Sequence, residues 1–557
     1  MAILTLALLF PRARIQAQAT TWSWAKSAGG TGNETGVSIC IDPAGNILTT
    51  GSFDGPFVVF GNDTFVNSNP GKEDIFIAKY SSAGTFIWAT CAGDTSSDFS
   101  TGISTDAAGN VYVTGYFDGP STRFATDTLI GAGGADLFIV KYSPSGNMTW
   151  VRGFGGTGTD DCAGISIDAS GNVYVTGSYE GNFIVFDNDT LYNGIGNDNV
   201  YVVKLSSTGN VVWAKSSVTN GSVISHGISA DAAGNVSISG QFWGLWAAFG
   251  SDTLHNAGYG DIFVAKYSSS GNALFAKRAG GTDDETACAV AVDSFGNTVI
   301  TGYFNSPALL FDTFALTGPA HPFASIFNVM YSPSGNVLWA NAAKSISYDV
   351  GNSIATDASG NVFVAGRFGN YVVFETDTLG SMQAGLDLFV VKYSQSGNLL
   401  MATSVEARDD IEEAFGIAAN ASGNVFVTGH FRGDTLAFGN DTLFNSMAYS
   451  FDYFVARLDP SSTTGSGELY GPRENMSIYP NPVSGTATIT FSLRQAEEIQ
   501  LKIFDIRGRC IDILSKGCFT SGDHQLQYNA NKLFPGLYFL MLETEDNLTA
   551  VKMAVNR

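Results

Sequence analysis

Residues 168–177 read Asp-Ala-Ser-Gly-Asn-Val-Tyr-Val-Thr-Gly, and this stretch decides how the chain folds. The pattern is Asp-x-x-Gly-Asn, then alternating apolar residues, then Gly. It begins at Asp42, Asp106, Asp168, Asp231, Asp293 and Asp357, with a seventh copy at Asn420, spaced 62 to 64 residues apart. The Asp opens a type I turn and the Gly closes it, so a preceding strand (Gly164-Ile-Ser-Ile) is joined to the next (Val173-Tyr-Val). An Asp in this place is a turn residue before it is a ligand. A fixed period of this length signals a repeat architecture.

A second hairpin recurs in every unit. In "DLFIVKYSPSGNMTWV" a strand at 137–142 meets one at 148–152 across Ser-Pro-Ser-Gly-Asn. Equivalent turns end at Gly84, Gly146, Gly209, Gly271, Gly335 and Gly397, and four residues on stand Trp88, Trp150, Trp213, Phe275, Trp339 and Met401. One large apolar anchor per repeat is a packing signal. The strand at 452–457 lacks such a partner after it, while Trp22-Ser-Trp24-Ala-Lys stands alone near the start. The N-terminal strand is therefore expected to complete the last unit, removing an open edge. The expectation is an all-β chain: a seven-bladed β-propeller over 20–463, closed by the N-terminal strand. A linear β-solenoid is the alternative, and it leaves both orphan strands unexplained.

These units resemble the SBBP-type β-propeller repeat of secreted bacterial proteins, whose pattern is close to "GIxxDxxGNVYVTG". The resemblance implies an architecture and leaves the ligand open.

Beyond a Ser/Thr/Gly-rich linker at 464–474 the repeat stops. Residues 475–557 hold about six short strands, as expected of a small β-sandwich. The phrases Ile478-Tyr-Pro-Asn-Pro482, Phe504-Asp-Ile-Arg-Gly-Arg509, Pro535-Gly-Leu-Tyr-Phe539 and Val551-Lys-Met553 resemble the type A (Por-like) C-terminal sorting domain of the type IX secretion system of Bacteroidota. That resemblance implies export by Sec to the periplasm, passage through the outer membrane by the type IX machinery, and a surface-attached or released product. Residues 2–10 are apolar and Ala17-Gln18-Ala19 offers a cleavage site, so 1–19 reads as a signal peptide, although no basic residue precedes the apolar run.

Composition narrows the rest. The chain has 557 residues, 28 Lys+Arg against 51 Asp+Glu, and a net charge of −23, which disfavours nucleic acid as a partner. No stretch approaches a membrane-spanning length. The six cysteines form no CxxC pair; Cys510 and Cys518 are candidates for a bridge between neighbouring strands, and the others read as buried thiols.

Candidate site residues come from departures from the repeat. After the Gly that ends each second strand, the fourth position of G-x-[FY]-x reads Asp54, Asp118, Glu180, Trp243, Asn305, Gly369 and Arg432. The second position reads Ser52, Tyr116, Ser178, Gln241, Tyr303, Arg367 and His430. The loops leading into each unit are acidic: Glu34, Asp94 and Asp98, Asp160 and Asp161, Asp283 to Glu285, Asp349, and Asp409 to Glu413. Carboxylates at one repeat position form a ring on one face. That face is expected to bind an extracellular glycan or surface protein, with Trp243 and Trp246 as stacking platforms and Arg367, His430 and Arg432 as polar contacts. A solvated acidic rim is the plainer reading.

The phrase Asp-Thr-Leu, at 127–129, 189–191, 252–254, 377–379 and 441–443, reads first as a hairpin tip. It also resembles the O-glycosylation motif of Bacteroidota, which would make Thr128, Thr190, Thr253, Thr378 and Thr442 glycan carriers. Five histidines show no HExxH, and no GxSxG elbow is present. The expectation is a non-catalytic binding module without a cofactor, calcium on the acidic rim being open. A carbohydrate-active hydrolase or lyase and a structural adhesion protein are the alternatives.

Overall fold

The Asp168 carboxylate builds its own turn. One oxygen accepts from the Ser170 and Asn172 N–H groups at 2.9 Å each; the other accepts from the Asn172 amide at 2.7 Å and the Tyr174 hydroxyl at 3.1 Å. Gly171 follows at φ +79°, a left-handed conformation that favours glycine. The two backbone bonds and the Asn amide bond recur at Asp42, Asp106, Asp231, Asp293 and Asp357, and Asn420 makes the two backbone ones.

The computed structural model describes residues 21–459, apart from 195–196, 319–322, 346, 376, 381–384, 406–410 and 448, and residues 476–556, apart from 480, 494–495, 506–509 and 544–547. The signal peptide read at 1–19 and the linker read at 464–474 lie outside them. The chain divides into a compact unit at Ile15–Ser461 and another that contains Ser462–Arg557.

In the first unit each turn joins an inner strand to a second strand. Gly164–Ile167 pairs with Val173–Tyr179, which pairs with Asn199–Leu205, which pairs with Val211–Ser216, all antiparallel. Seven such groups of four occur among the described residues. The outer strand of the last group is the N-terminal one, Thr21–Gly30, which runs antiparallel to Asp452–Asp459 from Thr21 opposite Asp459 to Ala28 opposite Tyr453.

The sheets are held to one another by side chains. One core cluster joins Tyr174, Val200 and Val202 of one group to Val223, Val236 and Phe263 of the next. Another joins Ile39, Phe53 and Phe76 of the first group to Ala418, Phe426 and Tyr453 of the last. Each buried Phe or Val adds about 1.5–3 kcal/mol by leaving water. The recurrent tryptophans do more than fill this core. Trp24, Trp88, Trp213 and Trp339 donate their indole N–H to a backbone carbonyl in the Ser-x-x-Gly turn of the following repeat, at 3.0 to 3.2 Å. The glycine of that turn is needed: a Cβ on Gly84 would lie 2.7 Å from the Trp24 ring.

Between the second and third strands each repeat inserts a two-stranded hairpin, such as Phe183–Phe186 with Asp189–Tyr192. The Asp-Thr-Leu phrase is its returning strand. The hairpin reaches the outer strand of the preceding repeat, where Gly155 and Gly156 pair with Val185 and Ile184. Its aspartate bonds the outer strand of its own repeat: Asp252 accepts from the Ala276 N–H at 2.8 Å and Asp441 from the Ala25 N–H at 3.0 Å. An otherwise open strand edge is thereby covered.

In the second unit, Met476–Tyr479, Thr486–Leu493 and Gly522–Asn529 form one sheet, and Cys510–Phe519, Glu497–Asp505, Gly536–Glu543 and Leu548–Val555 another. Ile489 and Phe491 of the first share a core with Leu501, Leu540 and Met553 of the second. Cys510 and Cys518 lie on one strand rather than on two. Eight extended residues span about 26 Å, far beyond the reach of a disulfide, and Cys518 is a free thiol.

Candidate functional site

The two strand positions singled out in the sequence lie at the end of each sheet opposite the Asp-x-x-Gly-Asn turns. Their backbone is tied to the loops that lead into each repeat: the Glu180, Trp243 and Asn305 N–H groups donate to the carbonyls of Thr159, Ser222 and Asp284 at 2.9, 2.8 and 3.1 Å.

Around Trp243 the loops leave a cavity of about 590 Å³. Its floor is polar, formed by Gln241 and Asn305, each only 6% exposed. Its walls are Trp243, Tyr259, Tyr303 and Tyr348, with Asp283 and Asp284 at the rim. Gly260 marks a point of convergence, since a Cβ there would lie 2.3 Å from Gln241 Nε2, 2.8 Å from Trp243 Nε1 and 2.9 Å from Asp284 Oδ1. Thr286, on the inner strand of the next repeat, donates to Gln241 Oε1 at 2.8 Å and so fixes the amide with its NH2 toward that point. Tyr303 and Tyr348 stack obliquely, centroids 5.3 Å apart, and Tyr348 is 41% exposed. Aromatic faces beside amide and carboxylate groups are what a sugar ring needs: an apolar face to stack on and hydroxyl partners at its edge.

Three of the other proposed contacts sit further round. Arg367 is near enough to Tyr348 to affect its hydroxyl, and it forms an ion pair with Glu413 at 2.8 Å. His430 packs against Phe451, centroids 4.1 Å apart, and against Phe415 at 5.0 Å. Its Nδ1 is 3.1 Å from the Thr35 hydroxyl of the first repeat. Burial, with Arg367 and Arg432 nearby, pushes His430 down to about 3, so it is neutral at physiological pH. Arg432 lies over the Phe451 ring at 5.6 Å. Trp243 and this basic cluster are therefore two separate groups, linked through Tyr303, Tyr348 and Arg367.

The remaining candidates do not join either group. Trp246 stands on the hairpin strand Trp246–Phe249, its N–H bonded to Asn220 Oδ1 at 3.1 Å. Asp54 clamps its own loop, accepting from the Asn33 N–H at 2.7 Å and the Asn33 amide at 2.8 Å. Asp118 and Glu180 are exposed to solvent. Of the Asp-Thr-Leu threonines, Thr128, Thr253, Thr378 and Thr442 are exposed and Thr190 is half-buried. Tyr259 and Tyr348 were not singled out from the sequence because they sit in loops outside the repeat register.

The acidic loops differ from a solvated rim. Glu34, Asp98, Asp160, Glu285, Asp349 and Glu412, at one repeat position, are completely buried. Asp409 and Asp410 lie outside the described residues. Burial pushes Asp98 up to about 6 and Asp349 to about 7. Burial together with a facing carboxylate takes Asp160 and Glu285 to about 7 and Glu34 to about 9.

Residues 87–119 and 149–183 match the beta-propeller repeat family SBBP, and residues 477–556 match the secretion system C-terminal sorting domain. The chain carries SBBP repeats and a type IX sorting domain. The sorting domain marks it for type IX secretion, to the cell surface or the extracellular space, and for contact with that machinery. An uncharacterized WD repeat-containing protein of Acanthamoeba polyphaga mimivirus is 26% identical over 534 residues, covering 78% of this chain and 38% of the relative, so the chain spans about two fifths of that protein's length. Among solved structures, a variant of the Synechocystis apocarotenoid oxygenase is 9% identical, with 79% of this chain and 97% of that chain covered and a TM-score of 0.34. PorZ of Porphyromonas gingivalis, a surface component of its type IX secretion system, is 10% identical, with 96% and 100% covered and a TM-score of 0.15.

Proposed function

We propose that this secreted propeller is a non-catalytic recognition module that binds an extracellular glycan in the cavity around Trp243. The observation that carries the reading is that cavity itself. It combines three tyrosines and a tryptophan with an amide held in place by Thr286, at the sheet end where the repeat consensus breaks down. Arg367, His430 and Arg432 extend the same face toward a longer or acidic ligand. The carboxylates with raised affinity for protons are buried between repeats, where no substrate reaches them, which favours binding over glycoside cleavage. The chain crosses the inner membrane by the Sec route before type IX export.

The test is binding of the full secreted protein to a glycan and polysaccharide array. Trp243→Ala and Tyr303→Ala should each weaken binding at least about tenfold, a stacking contact being worth about 1–3 kcal/mol, with the melting temperature nearly unchanged. An array blank at micromolar protein would overturn the reading. Truncation before residue 475 should leave the protein in the periplasm, and normal secretion of it would remove the export assignment. Intact mass after secretion reports any glycan on the Asp-Thr-Leu threonines.

A further inference from the structure

We propose that the carboxylate pairs buried between successive repeats are calcium sites that tie each repeat to the next. Each pair takes one residue from the start of a third strand and one from the start of the following inner strand or the loop just before it: Asp74 with Asp98, Asp136 with Asp160, and Asp261 with Glu285. The six residues are between 0 and 5% exposed.

Within each pair the hydrogen bonding is half finished. Asp98, Asp136, Asp160, Asp261 and Glu285 each accept a loop N–H on one carboxylate oxygen, from Asp94, Ala132, Gly156, Ala257 and Gly281 at 2.6 to 3.1 Å. The other oxygen of all five, and Oδ1 of Asp74, is buried with no hydrogen-bond partner. An unpaired buried carboxylate oxygen is costly, and six arranged in facing pairs are not an accident of packing. Among the described residues one cation, Arg278, reaches the set, and it binds the Asp261 oxygen already in use.

A glycine lies against the third-strand carboxylate of each pair, and at Gly93 both carboxylates approach it. A Cβ on Gly93 would lie 2.2 Å from Asp74 Oδ1 and 3.1 Å from Asp98 Oδ2, and a Cβ on Gly155 would lie 1.6 Å from Asp136 Oδ1. The repeats themselves test whether this is one unit. Where the third strand begins with Asn199 or Ser325 in place of Asp, the glycine position holds Val218 or Lys344, and in the repeat of Asp387 the sequence puts Glu406 there, so the Asp–Gly combination belongs to the repeats of Asp74, Asp136, Asp261 and Asp452.

The donors are carboxylate oxygens, with the buried Thr122 hydroxyl beside Asp98 and likewise without a hydrogen-bond partner. Among the described residues no three His, Cys, Asp or Glu gather to hold a metal ion, so each site would rest on two carboxylates and complete its shell with backbone oxygens and water. A hard ion that accepts six to eight oxygens, some from backbone and water, suits two carboxylates better than zinc does. The competing occupant is a proton shared within each pair.

The experiment is metal analysis and thermal melting of the full secreted protein after exhaustive treatment with EGTA, with calcium, magnesium or neither restored. Calcium should be retained at about one ion per pair, and chelation should lower the melting temperature by at least about 5 °C, reversed by calcium and not by equal magnesium. Asp136→Asn with Asp160→Asn, which keeps the shape of the pair, should lower the calcium count and shrink the shift. Protein that retains no calcium and melts at the same temperature in calcium and EGTA overturns the proposal. So does a melting temperature that rises with acid and ignores calcium, which identifies the shared proton.

Discussion

The Asp168 carboxylate, at one end of its sheet, takes four donors, whereas the Asp160 carboxylate, at the other end, keeps an oxygen without any. Both are buried, and they respond oppositely. At Asp168 burial pulls the pKa up, but the bonds from Asn172, Tyr174 and Ser170 outweigh it and hold the group below the ordinary carboxylate range. At Asp160 burial and the facing Asp136 win over a single N–H, and the group rises to about 7. The turn end thus uses its aspartate, at Asp168, on local geometry that is finished within seven residues. The junction end holds charge that its own polypeptide does not neutralise.

The strongest way to break this contrast is to crowd the junction. Gly155→Ala puts a methyl group where the Asp136 carboxylate already stands, with neither free to move into solvent. A loss of about 3 kcal/mol is expected, the upper end for overpacking, read by chemical denaturation. Asp136→Ala in the same chain should recover part of it. Gly164→Ala is the control, because the nearest atom to its Cβ is Ile228 Cγ2 at an ordinary 3.4 Å.

Removing a turn carboxylate should cost somewhat less. Asp168→Ala strands two backbone N–H groups and the Tyr174 hydroxyl's carboxylate partner, for about 2 kcal/mol. That loss should be the same with calcium and with EGTA. Asp160→Asn should differ: destabilising in calcium, and neutral or stabilising in EGTA, where it relieves repulsion from Asp136. Equal behaviour of the two substitutions in both buffers would erase the distinction between the ends.

Acidity separates the ends as well. A carboxyl raised in the folded state, such as Asp160 or Glu285 at about 7, stabilises below its unfolded value near 4 and loses that contribution as pH climbs through 7. A depressed one, such as Asp168, contributes above the unfolded value and loses it as pH falls through the lower folded value. EGTA-treated protein should therefore melt highest at mildly acidic pH, several degrees above its value at pH 8. With calcium the optimum should move toward neutrality, since metal and proton compete for the same oxygens.

The turn end was legible because the bonds that shape it lie within the phrase that repeats: Asp168, Ser170, Gly171 and Asn172 specify one another. The type IX sorting domain was legible for the same reason, in phrases of five or six residues. The junction carboxylates were visible as acidic residues but not as buried ones. Asp and Glu are rarely enclosed, and here the enclosure comes from a hairpin of the next repeat laid across the outer strand, as Val185 is laid on Gly155. Trp243 stood out by breaking the consensus, whereas Tyr259 and Tyr348 join its cavity through loop paths that no repeat position records.

Those hairpins offer the mildest probe of the contrast. The first residue of each hairpin turn has a left-handed backbone: Gly61, Gly250 and Gly439 at φ 61–62°, and Ala125, Asp187, Asp312 and Glu375 at φ 50–52°. Alanine there costs about 1–2 kcal/mol of strain, of which glycine returns part as unfolded-state entropy. Ala125→Gly should therefore stabilise by up to about 1 kcal/mol. Asp187→Gly should gain less, because it also removes the ion pair with Arg152. The Ala125 turn lies at the far end of its hairpin from the junction contacts, which are made by Ser121, Thr122 and the Arg123 carbonyl, the last accepting from the Gly93 N–H at 3.1 Å. Its gain should thus be equal in calcium and in EGTA, adding to the junction effects without altering them. A gain that vanishes in EGTA would mean that the hairpin and the ion are one structural element, and that the junction end is ordered from outside inward.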